Sequence, residues 1–377
     1  MKKIGITGQG GFVGYHLYNK LMLEPQSYKL IVFERSFFSS VGKMKNFVSQ
    51  CDVIVHLAAV NRHSNPEVIY NTNIDLVEKL ILALESSASS PHIIFASSTQ
   101  EKLENHYGNS KLTGSMLLEN WAEKNNGKYT KLIIPNVYGP FGRPYYNSVV
   151  ATFCHQLTHK EQPEIKQDSE LKLVYVGELV DSIITCFKQN DLVNHKSSNT
   201  IIVPHSKEIK VSKLLNTLSE FRDNYFGRGI FPNISDSFNL NLFITFLCYV
   251  NHSELFPFNL EKNTDDRGSF VETIKLNSGG QVSFSTTKPD ITRGNHYHTQ
   301  KVERFAVIKG KALIELRRIG TDETLSFELD GNSPSFVDMP IWYTHNIKNI
   351  GDDDLYTIFW INEEFDVNNP DTYFEKV

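Results

Sequence analysis

The chain changes its hydrophobic periodicity once, near residue 250. Before that point, short runs of apolar residues alternate with longer stretches in which apolar residues recur every three or four positions. This alternation predicts strands and helices in turn, which is the βαβ order of a doubly wound parallel sheet. The clearest predicted strands are 4–7, 29–33, 52–57, 92–97 and 130–134.

Beyond residue 252 the helical periodicity gives way to short alternating segments separated by turns rich in Asp and Gly. Segments 302–316, 324–329 and 355–360 show this pattern, which predicts an all-β barrel or sandwich. The stretch 205–250 carries helical patterns that we expect to close the first domain and join it to the second. We therefore predict an α/β domain over residues 1–248 and an all-β domain over residues 249–377.

Composition narrows the class of protein. A chain of 377 residues with 21% charged and 40% hydrophobic residues is typical of a soluble protein with two cores. Its formal net charge of −5 argues against a nucleic-acid partner. No apolar run approaches the roughly 20 residues of a membrane span, and the N-terminus enters a strand rather than a signal peptide. We expect a cytoplasmic protein whose four scattered cysteines are reduced core residues.

A glycine triplet directly follows the first predicted strand. Gly8, Gly11 and Gly14 give the spacing G-x-x-G-x-x-G where a strand turns into a helix. There, backbone N–H groups and a helix N-terminus can bind a pyrophosphate, so we expect a dinucleotide site. Glu34 and Arg35 end the second predicted strand, where the ribose is recognised. An acidic residue suits NAD and an arginine suits NADP, so the pair does not decide between the two cofactors. It favours NADP, because a guanidinium can pair with the 2′-phosphate.

A tyrosine and a lysine share one face of a predicted helix. Tyr107 and Lys111 are four residues apart, so an ammonium can lower the pKa of the phenol toward the working pH. Such a tyrosine could exchange a proton with a hydroxyl or carbonyl of a substrate. The strand 92–97 runs into Ser98 and Thr99, whose hydroxyls could bond the same oxygen.

In order along residues 1–240, these motifs resemble the extended short-chain dehydrogenases/reductases, which include nucleotide-sugar epimerases, dehydratases and 4-ketoreductases. The strand end 55–59, Asn73 and the sequence 135–140 also match that family. The resemblance implies that Ser98, Tyr107 and Lys111 are catalytic, with Thr99 as the alternative hydroxyl. The residues that it assigns to the cofactor are Gly8, Gly11, Phe12, Val13, Gly14, Glu34, Arg35, Leu57, Ala58 and Ala59.

The same resemblance assigns the phosphates of a nucleotide sugar. Asn136 would contact the sugar diphosphate. Many relatives carry an arginine shortly before the Asn-Val-Tyr-Gly run, whereas the nearest base here is Lys131. We therefore expect Arg143 to take part in phosphate recognition.

The second half contains a set of potential metal ligands. His296 and His298 are two residues apart, so they share one face of a strand. Glu303 and His345 complete a set of three imidazoles and one carboxylate, which suits Zn, Fe, Mn or Ni. The H-x-H pattern followed by Glu, Gly and a distant His after Pro resembles the cupin superfamily, whose fold is a jelly-roll barrel.

Two further sequences, 265–272 and 293–297, resemble the 4-keto-6-deoxysugar 3,5-epimerases, which are also cupins. This likeness implies that Arg267 and Arg293 hold the phosphates of a nucleotide sugar, and that His296 is the base. A metal-bound His296 could not act so, because its lone pair is committed. The base would then be Tyr297, Tyr343 or Lys301, among which the sequence does not choose. The metal could also be structural, in a barrel that dimerises.

The whole arrangement, including the terminal sequence 369–374, resembles the bifunctional enzymes of capsular polysaccharide synthesis that fuse such a reductase to a cupin. This implies a homodimer with zinc in the cupin, acting on a UDP-linked 4-keto-6-deoxy amino sugar. The cupin would epimerise C3 of a UDP-4-keto-2-acetamido-2,6-dideoxyhexose. The first domain would then reduce C4 with NADPH to UDP-2-acetamido-2,6-dideoxy-L-talose, on the route to UDP-N-acetyl-L-fucosamine.

Two alternatives stay open. One is a single-activity NAD(P)-dependent 4-epimerase or dehydratase with a structural, dimerising cupin. Dehydratases need a carboxylic acid beside the catalytic hydroxyl, and Gln100 stands first at that place, which argues against dehydration. The other is a non-enzymatic sensor of the nicotinamide redox state, which would need a defective Ser-Tyr-Lys set.

Overall fold

The computed structural model describes residues 1–87, 89–189 and 198–377. Within them the chain forms two compact units, one of residues 1–152 with 169–210 and one of residues 153–168 with 211–377. The first has a parallel sheet at its centre and the second is built on antiparallel sheets. The predicted fold class, a Rossmann-type α/β domain followed by an all-β region, is confirmed.

The first unit is organised around a six-stranded sheet. Its strands and helices are β1 Lys2–Thr7, α1 Phe12–Met22, β2 Tyr28–Ile31, α2 Val41–Ser49, β3 Val53–His56, α3 Pro66–Ser87, β4 His92–Ser98, α4 His106–Asn125, β5 Tyr129–Ile134, β6 Asn136–Tyr138, the first residues of α5 Val149–Thr158, β7 Glu170–Tyr175, α6 Val176–Gln189, β8 Ser198–Ile202 and β9 Lys207–Lys210. From residue 153 onward, α5 belongs to the second unit. The sheet order is β2-β1-β3-β4-β5-β8, with every neighbouring pair parallel. The five predicted strands correspond to β1 to β5. Strands β6, β7 and β9 form a separate, smaller sheet.

Apolar side chains cover both faces of this sheet, as expected for strands that are buried on two sides. Alternate residues of β1, such as Ile4 and Ile6, pack with α1 and α6 on one face. Ile54 and Phe95 pack with α2, α3 and α4 on the other face. The carboxyl ends of the strands are thereby held in fixed positions at one edge of the sheet, where the loops that follow them meet.

The second unit combines helices with two five-stranded sheets. Its elements are α7 Val211–Arg228, β10 Ile230–Phe231, α8 Ser237–Leu247, α9 His252–Leu255, β11 Phe258–Asn259, β12 Lys262–Asp265, β13 Gly268–Val271, β14 Lys275–Leu276, β15 Gln281–Thr287, β16 Thr292–Tyr297, β17 Glu303–Lys309, β18 Lys311–Arg318, β19 Thr324–Asp330, β20 Ser335–Met339, β21 Tyr343–Asn349, β22 Leu355–Ile361 and β23 Tyr373–Phe374. The sheet orders are β11-β20-β17-β22-β15 and β19-β18-β21-β16-β23. The structure groups α7 and α8 with these strands. The division into domains of residues 1–248 and 249–377 stays a prediction.

A buried ion pair ties α7 to the strands of the second unit. The guanidinium of Arg304 donates to both carboxylate oxygens of Asp338, at 2.7 and 2.8 Å. The hydroxyl of Tyr225 donates to the same carboxylate at 2.5 Å, and the carbonyl of Gly229 accepts from Arg304 at 2.5 Å. Arg304 and Asp338 are 0% and 1% exposed, so every charged atom of the pair depends on these partners.

Among the described residues, no helix combines the length and apolarity needed to cross a bilayer.

Candidate active site and metal centre

The turn between β1 and α1 approaches neighbouring backbone too closely for side chains. Gly8 has a φ of +77°, and a Cβ there would lie 2.8 Å from the backbone nitrogen of Ala58. A Cβ on Gly14 would lie 2.3 Å from the carbonyl oxygen of Gly8. Gly11 caps α1 without any side-chain hydrogen bond. The first N–H groups of the helix therefore remain available for an anion.

A cavity of about 580 Å³ lies at this carboxyl edge of the parallel sheet. The predicted site residues that line it are Gly8, Gly11, Phe12, Val13, Gly14, Leu57, Ala59, Ser98, Tyr107, Lys111, Asn136 and Arg143. Sequence reasoning missed four polar residues of the lining, Asn61, Tyr146, Asn147 and Ser148. Their only signal is their position in or next to loops that follow strands, where ligands of open α/β sheets bind.

Four residues considered for the site lie outside this lining. Ala58 contacts the glycine turn through its backbone and packs partly into the core. Glu34 and Arg35 follow β2 and are exposed, and the carboxylate of Glu34 accepts from the hydroxyl of Ser36 at 3.1 Å. Thr99 is exposed as well, so the lining favours Ser98 as the hydroxyl. The choice of NADP over NAD stays a prediction.

Helix α4 presents Tyr107 and Lys111 to the cavity. Its start is fixed by Asn105, whose side chain accepts from the N–H of Gly108 at 2.7 Å. The Nζ atom of Lys111 lies 5.7 Å from the centre of the Tyr107 ring. A second link comes from Asn73, which donates to the hydroxyl of Ser110 at 2.9 Å and accepts from a backbone N–H of the loop after β3. The helix is thus held at a fixed distance from the loop that follows β3.

Burial controls the pKa values of these two groups. It raises the pKa of Tyr107 to about 12, and the nearby phenol of Tyr146 adds to this rise. It lowers the pKa of Lys111 to about 8. The expected lowering of the Tyr107 pKa by Lys111 is therefore wrong for the protein alone, because the cost of burying a phenolate is the larger effect. Tyr107 is a protonated hydroxyl at neutral pH, which suits it to donate to an oxygen.

Lys131 and Glu101 pair beneath the cavity instead of facing it. Their side chains are 13% and 8% exposed, and the Nζ–Oε1 distance is 3.0 Å. The other carboxylate oxygen of Glu101 accepts from the hydroxyl of Ser97 at 2.6 Å. Lys131 is therefore committed to this pair, whereas Arg143 lines the cavity. The carboxylate of Glu101 is held by Lys131 and Ser97, so it is poorly placed to act as a general acid on a substrate in the cavity.

In the second unit, four predicted ligands converge. His296, His298, Glu303 and His345 offer ligand atoms that all lie within 4.8 Å of one another. His296 and His345 come from β16 and β21 of one sheet, while Glu303 begins β17 of the other. The Nε2 atoms of His298 and His345 lie 3.2 and 3.0 Å from one carboxylate oxygen of Glu303. The two sheets therefore face each other at this cluster.

The pKa shifts of His296 and Glu303 suit the binding of a divalent metal. Burial, helped by the two neighbouring imidazoles, lowers the pKa of His296 to about 4, so its lone pair is free at neutral pH. Burial opposes charge on Glu303, yet the close imidazoles hold the pKa of its carboxyl well below its usual range. The Nε2 atoms of His298 and His345 and this carboxylate oxygen are buried without hydrogen-bond geometry. Buried nitrogen and oxygen atoms that lack a hydrogen-bond partner fit a set of metal ligands.

A β-bulge in β16 places Arg293 on the same face of the sheet as the ligand cluster. Asn295 has a φ of +58°, and the register of β16 against β21 shifts at this residue. Arg293 therefore stands opposite Ile347 and His296 opposite His345, so both share one face. Arg267, by contrast, lies in the exposed hairpin β12–β13 and pairs with Asp265. The phosphate-binding role of both arginines stays a prediction.

The three candidate bases have other partners. Tyr297 stacks with Trp342 and Tyr373 at ring distances of 5.8 and 5.4 Å. The ring of Tyr343 lies 5.5 Å from that of His252. Lys301 is buried and donates to the carbonyl of Pro370 at 2.6 Å. These contacts disfavour Lys301, whose ammonium is held by a carbonyl, more than they disfavour the two phenols.

The parallel sheet, the glycine turn and the shared cavity define a short-chain dehydrogenase/reductase of the Rossmann type. Residues 4–201 match the NAD dependent epimerase/dehydratase family, and residues 263–373 match the Polysaccharide biosynthesis C-terminal domain. The chain belongs to this NAD dependent epimerase/dehydratase family.

Its relatives match it over different lengths. The chain is 34% identical over 374 residues, 98% of each chain, to UDP-2-acetamido-2,6-beta-L-arabino-hexul-4-ose reductase of Pseudomonas aeruginosa. It is 35% identical to the capsular polysaccharide assembling protein CapF of Staphylococcus aureus, with a TM-score of 0.62 and 100% of both chains covered. It also matches 81% of the Bacillus subtilis spore coat polysaccharide biosynthesis protein SpsL, at 25% identity over 122 residues that make up 30% of this chain. The match to CapF over the whole chain confirms the resemblance to an enzyme of capsular polysaccharide synthesis that the sequence predicted.

Proposed function

We propose that the chain reduces the C4 ketone of a UDP-linked 4-keto-6-deoxy amino sugar with NADPH, and that its β domain, a cupin, epimerises C3 first. The observation that carries the proposal is that the glycine turn, Ser98, Tyr107 and Lys111 line the same cavity. The name of the Pseudomonas aeruginosa relative, a reductase of a UDP-linked hexul-4-ose, supports this substrate class. By the likeness to CapF, we also propose a cytoplasmic homodimer that serves capsular polysaccharide synthesis.

In the first unit, the residues position a carbonyl and supply its proton. Ser98 and Tyr107 donate hydrogen bonds to the C4 oxygen, and Tyr107 gives up its proton as that oxygen becomes a hydroxyl. The ammonium of Lys111 stabilises the phenolate that remains. Asn136 and Arg143 hold the diphosphate. The glycine turn and α1 hold the dinucleotide, and the reduced nicotinamide supplies the hydride.

In the second unit, the four converging residues would hold Zn²⁺. When bound, such an ion withdraws electrons from a ketone oxygen and makes the neighbouring C–H more acidic. Arg293 shares the face of the cluster through the β-bulge and holds a phosphate of the substrate. The base that moves the C3 proton is Tyr297 or Tyr343. Epimerisation must precede reduction, because C3 is acidic only while C4 is a ketone, and the product is UDP-2-acetamido-2,6-dideoxy-L-talose.

One experiment separates the two activities. The purified, zinc-loaded chain is incubated in D2O with a UDP-4-keto-2-acetamido-2,6-dideoxyhexose and NADPH, and the product is analysed by NMR. We expect stoichiometric oxidation of NADPH and deuterium at C3. Tyr107→Phe should abolish NADPH oxidation and leave deuterium exchange intact, whereas Glu303→Gln should abolish exchange. Tyr70→Phe, outside the cavity lining, should keep both activities.

Two outcomes would contradict the proposal. Failure to reduce the 4-keto sugar with NADPH, together with inversion at C4 of a UDP-2-acetamido-2,6-dideoxyhexose that carries a C4 hydroxyl, would identify a single-activity 4-epimerase. Absence of deuterium from the sugar, despite a metal-loaded β domain and active reduction, would make the metal site structural.

A further inference from the structure

The C-terminal segment 370–373, here called the tail clamp, contacts the metal cluster from a distant part of the sequence. The carbonyl oxygen of Asp371 lies 2.5 Å from Nδ1 of His298. A carbonyl oxygen can only accept, so Nδ1 carries the proton and the lone pair of His298 is on Nε2. That nitrogen lies 3.2 Å from the carboxylate of Glu303. One backbone group of the tail clamp thus fixes the tautomer and the ring orientation of a ligand.

The side chain of the same residue fixes the turn between two ligands. The carboxylate of Asp371 accepts from four donors, the N–H groups of Thr299, Gln300 and Lys301 and the hydroxyl of Thr299, at 2.7 to 3.1 Å. These three residues are the first three of the four that connect His298 to Glu303. Asp371 is 6% exposed, so its charge is balanced by these donors and not by water.

Two further contacts hold the tail clamp in place. Lys301 donates from its ammonium to the carbonyl of Pro370 at 2.6 Å. The tail then pairs with β16, where Tyr297 stands opposite Tyr373. Asp371 itself has a φ of +40°, a conformation that costs energy for a residue other than glycine and persists only where its surroundings enforce it.

We propose that Asp371 is the positioning residue of the metal centre, setting the tautomer of His298 and the spacing of His298 from Glu303. The inference rests on the metal site of the proposed function. Groups that orient metal ligands through the second imidazole nitrogen commonly change metal affinity by about 10- to 100-fold when they are lost. Asp371 performs this role twice, through its carbonyl and through its carboxylate.

The test compares Asp371→Asn with Asp366→Asn in the full chain. Asn tolerates the positive φ but turns an amide N–H₂ toward the N–H donors. Asp366 lies in the same tail, is exposed, and accepts from the N–H of Asn368 at 2.8 Å. Co²⁺ and Zn²⁺ affinities are measured by competition with a chelator, the visible spectrum of bound Co²⁺ reports the ligand geometry, and thermal unfolding of the metal-free proteins reports stability.

For Asp371→Asn we expect Co²⁺ and Zn²⁺ affinities about 10- to 100-fold weaker and a changed Co²⁺ spectrum. Because the buried carboxylate accepts from four donors, the metal-free Asp371→Asn protein should also unfold at a lower temperature than Asp366→Asn. Unchanged affinity and spectrum would overturn the proposal, as would a loss of stability with an unchanged spectrum. If Asp371→Asn does not fold, Thr299→Val removes one donor and should weaken Co²⁺ binding by about 3-fold; no change would overturn the proposal. A wild-type chain that binds neither ion would overturn both this inference and the zinc site, whereas NADPH-dependent reduction would survive either failure.

Discussion

Replacing Asp338 with Asn should strongly destabilise the second unit. The carboxylate of Asp338 is the counterion of Arg304, whose side chain is 0% exposed. Removing one partner of a buried pair leaves an uncompensated charge and typically costs about 3–5 kcal/mol. The loss is large against a whole-domain stability of roughly 5–15 kcal/mol. The hydroxyl of Tyr225, which donates to the same carboxylate, would also lose its charged acceptor.

A matched control is the exposed pair of Glu272 and Lys275. Its Nζ–Oε2 distance is also 2.7 Å, but the side chains are 60% and 38% exposed. Solvent screens such a pair, so Glu272→Gln should cost no more than about 0.5 kcal/mol. The comparison holds the distance between charges constant and contrasts a buried guanidinium–carboxylate pair with an exposed ammonium–carboxylate pair.

Urea denaturation followed by tryptophan fluorescence measures both effects. The chain has 3 tryptophans, and a Trp121→Phe background leaves only Trp342 and Trp360, which are buried in the second unit. Asp338→Asn should lower the urea midpoint sharply, with little change in slope. Adding Arg304→Met to it should cause no further loss, because the unpaired charge is gone. Equal midpoints for Asp338→Asn and Glu272→Gln would refute the reasoning.

Three further predictions concern the cavity of the first unit. Gly14→Ala should weaken NADPH binding at least about 10-fold in a fluorescence titration, because its Cβ would meet backbone oxygens. Gly227→Ala in α7, which is outside the cavity lining and has open space for a Cβ, should bind normally; equal affinities would contradict this. Burial lowers the pKa of Lys111 to about 8, so the charge of its ammonium is present below that pH and lost above it. We therefore expect kcat/KM for reduction to fall as the pH rises through 8; a profile that stays flat to high pH would contradict this. Arg143→Met should raise both KM for the UDP sugar and the inhibition constant of UDP by about 10-fold, with kcat little changed; unchanged UDP inhibition would show that Arg143 does not hold the diphosphate.

Features that depend on local periodicity could be predicted from the sequence. The order of β1 to β5, the glycine turn after β1 and the Tyr107–Lys111 pair follow from spacings of three, four or two residues. The metal cluster could be predicted for the same reason, because an H-x-H pattern places both imidazoles on one strand face. The glycine turn and the Tyr107–Lys111 pair need only local geometry, whereas the cluster also needs Glu303 from β17 and His345 from β21.

Features that depend on a distant partner or on one unusual residue could not be predicted. Nothing near Lys131 shows that Glu101 neutralises it, and nothing near His298 shows that Asp371, 73 residues away, holds its ring. Simple alternation would put Arg293 and His296 on opposite faces, and only the bulge at Asn295 corrects this. The pKa of Tyr107 was mispredicted because the spacing to Lys111 carries no information on burial.

The chain crosses between its two units three times, after residues 152, 168 and 210. The excursion 153–168 is anchored to later sequence, since Asp168 accepts from the backbone N–H and the hydroxyl of Ser212 at 2.8 and 2.9 Å. On the ribosome, the first unit can be completed once residue 210 has emerged, because all its strands have been made by then. The excursion must wait for its partners to be translated, and no single cut in the gene can encode the two units as separate, whole polypeptides.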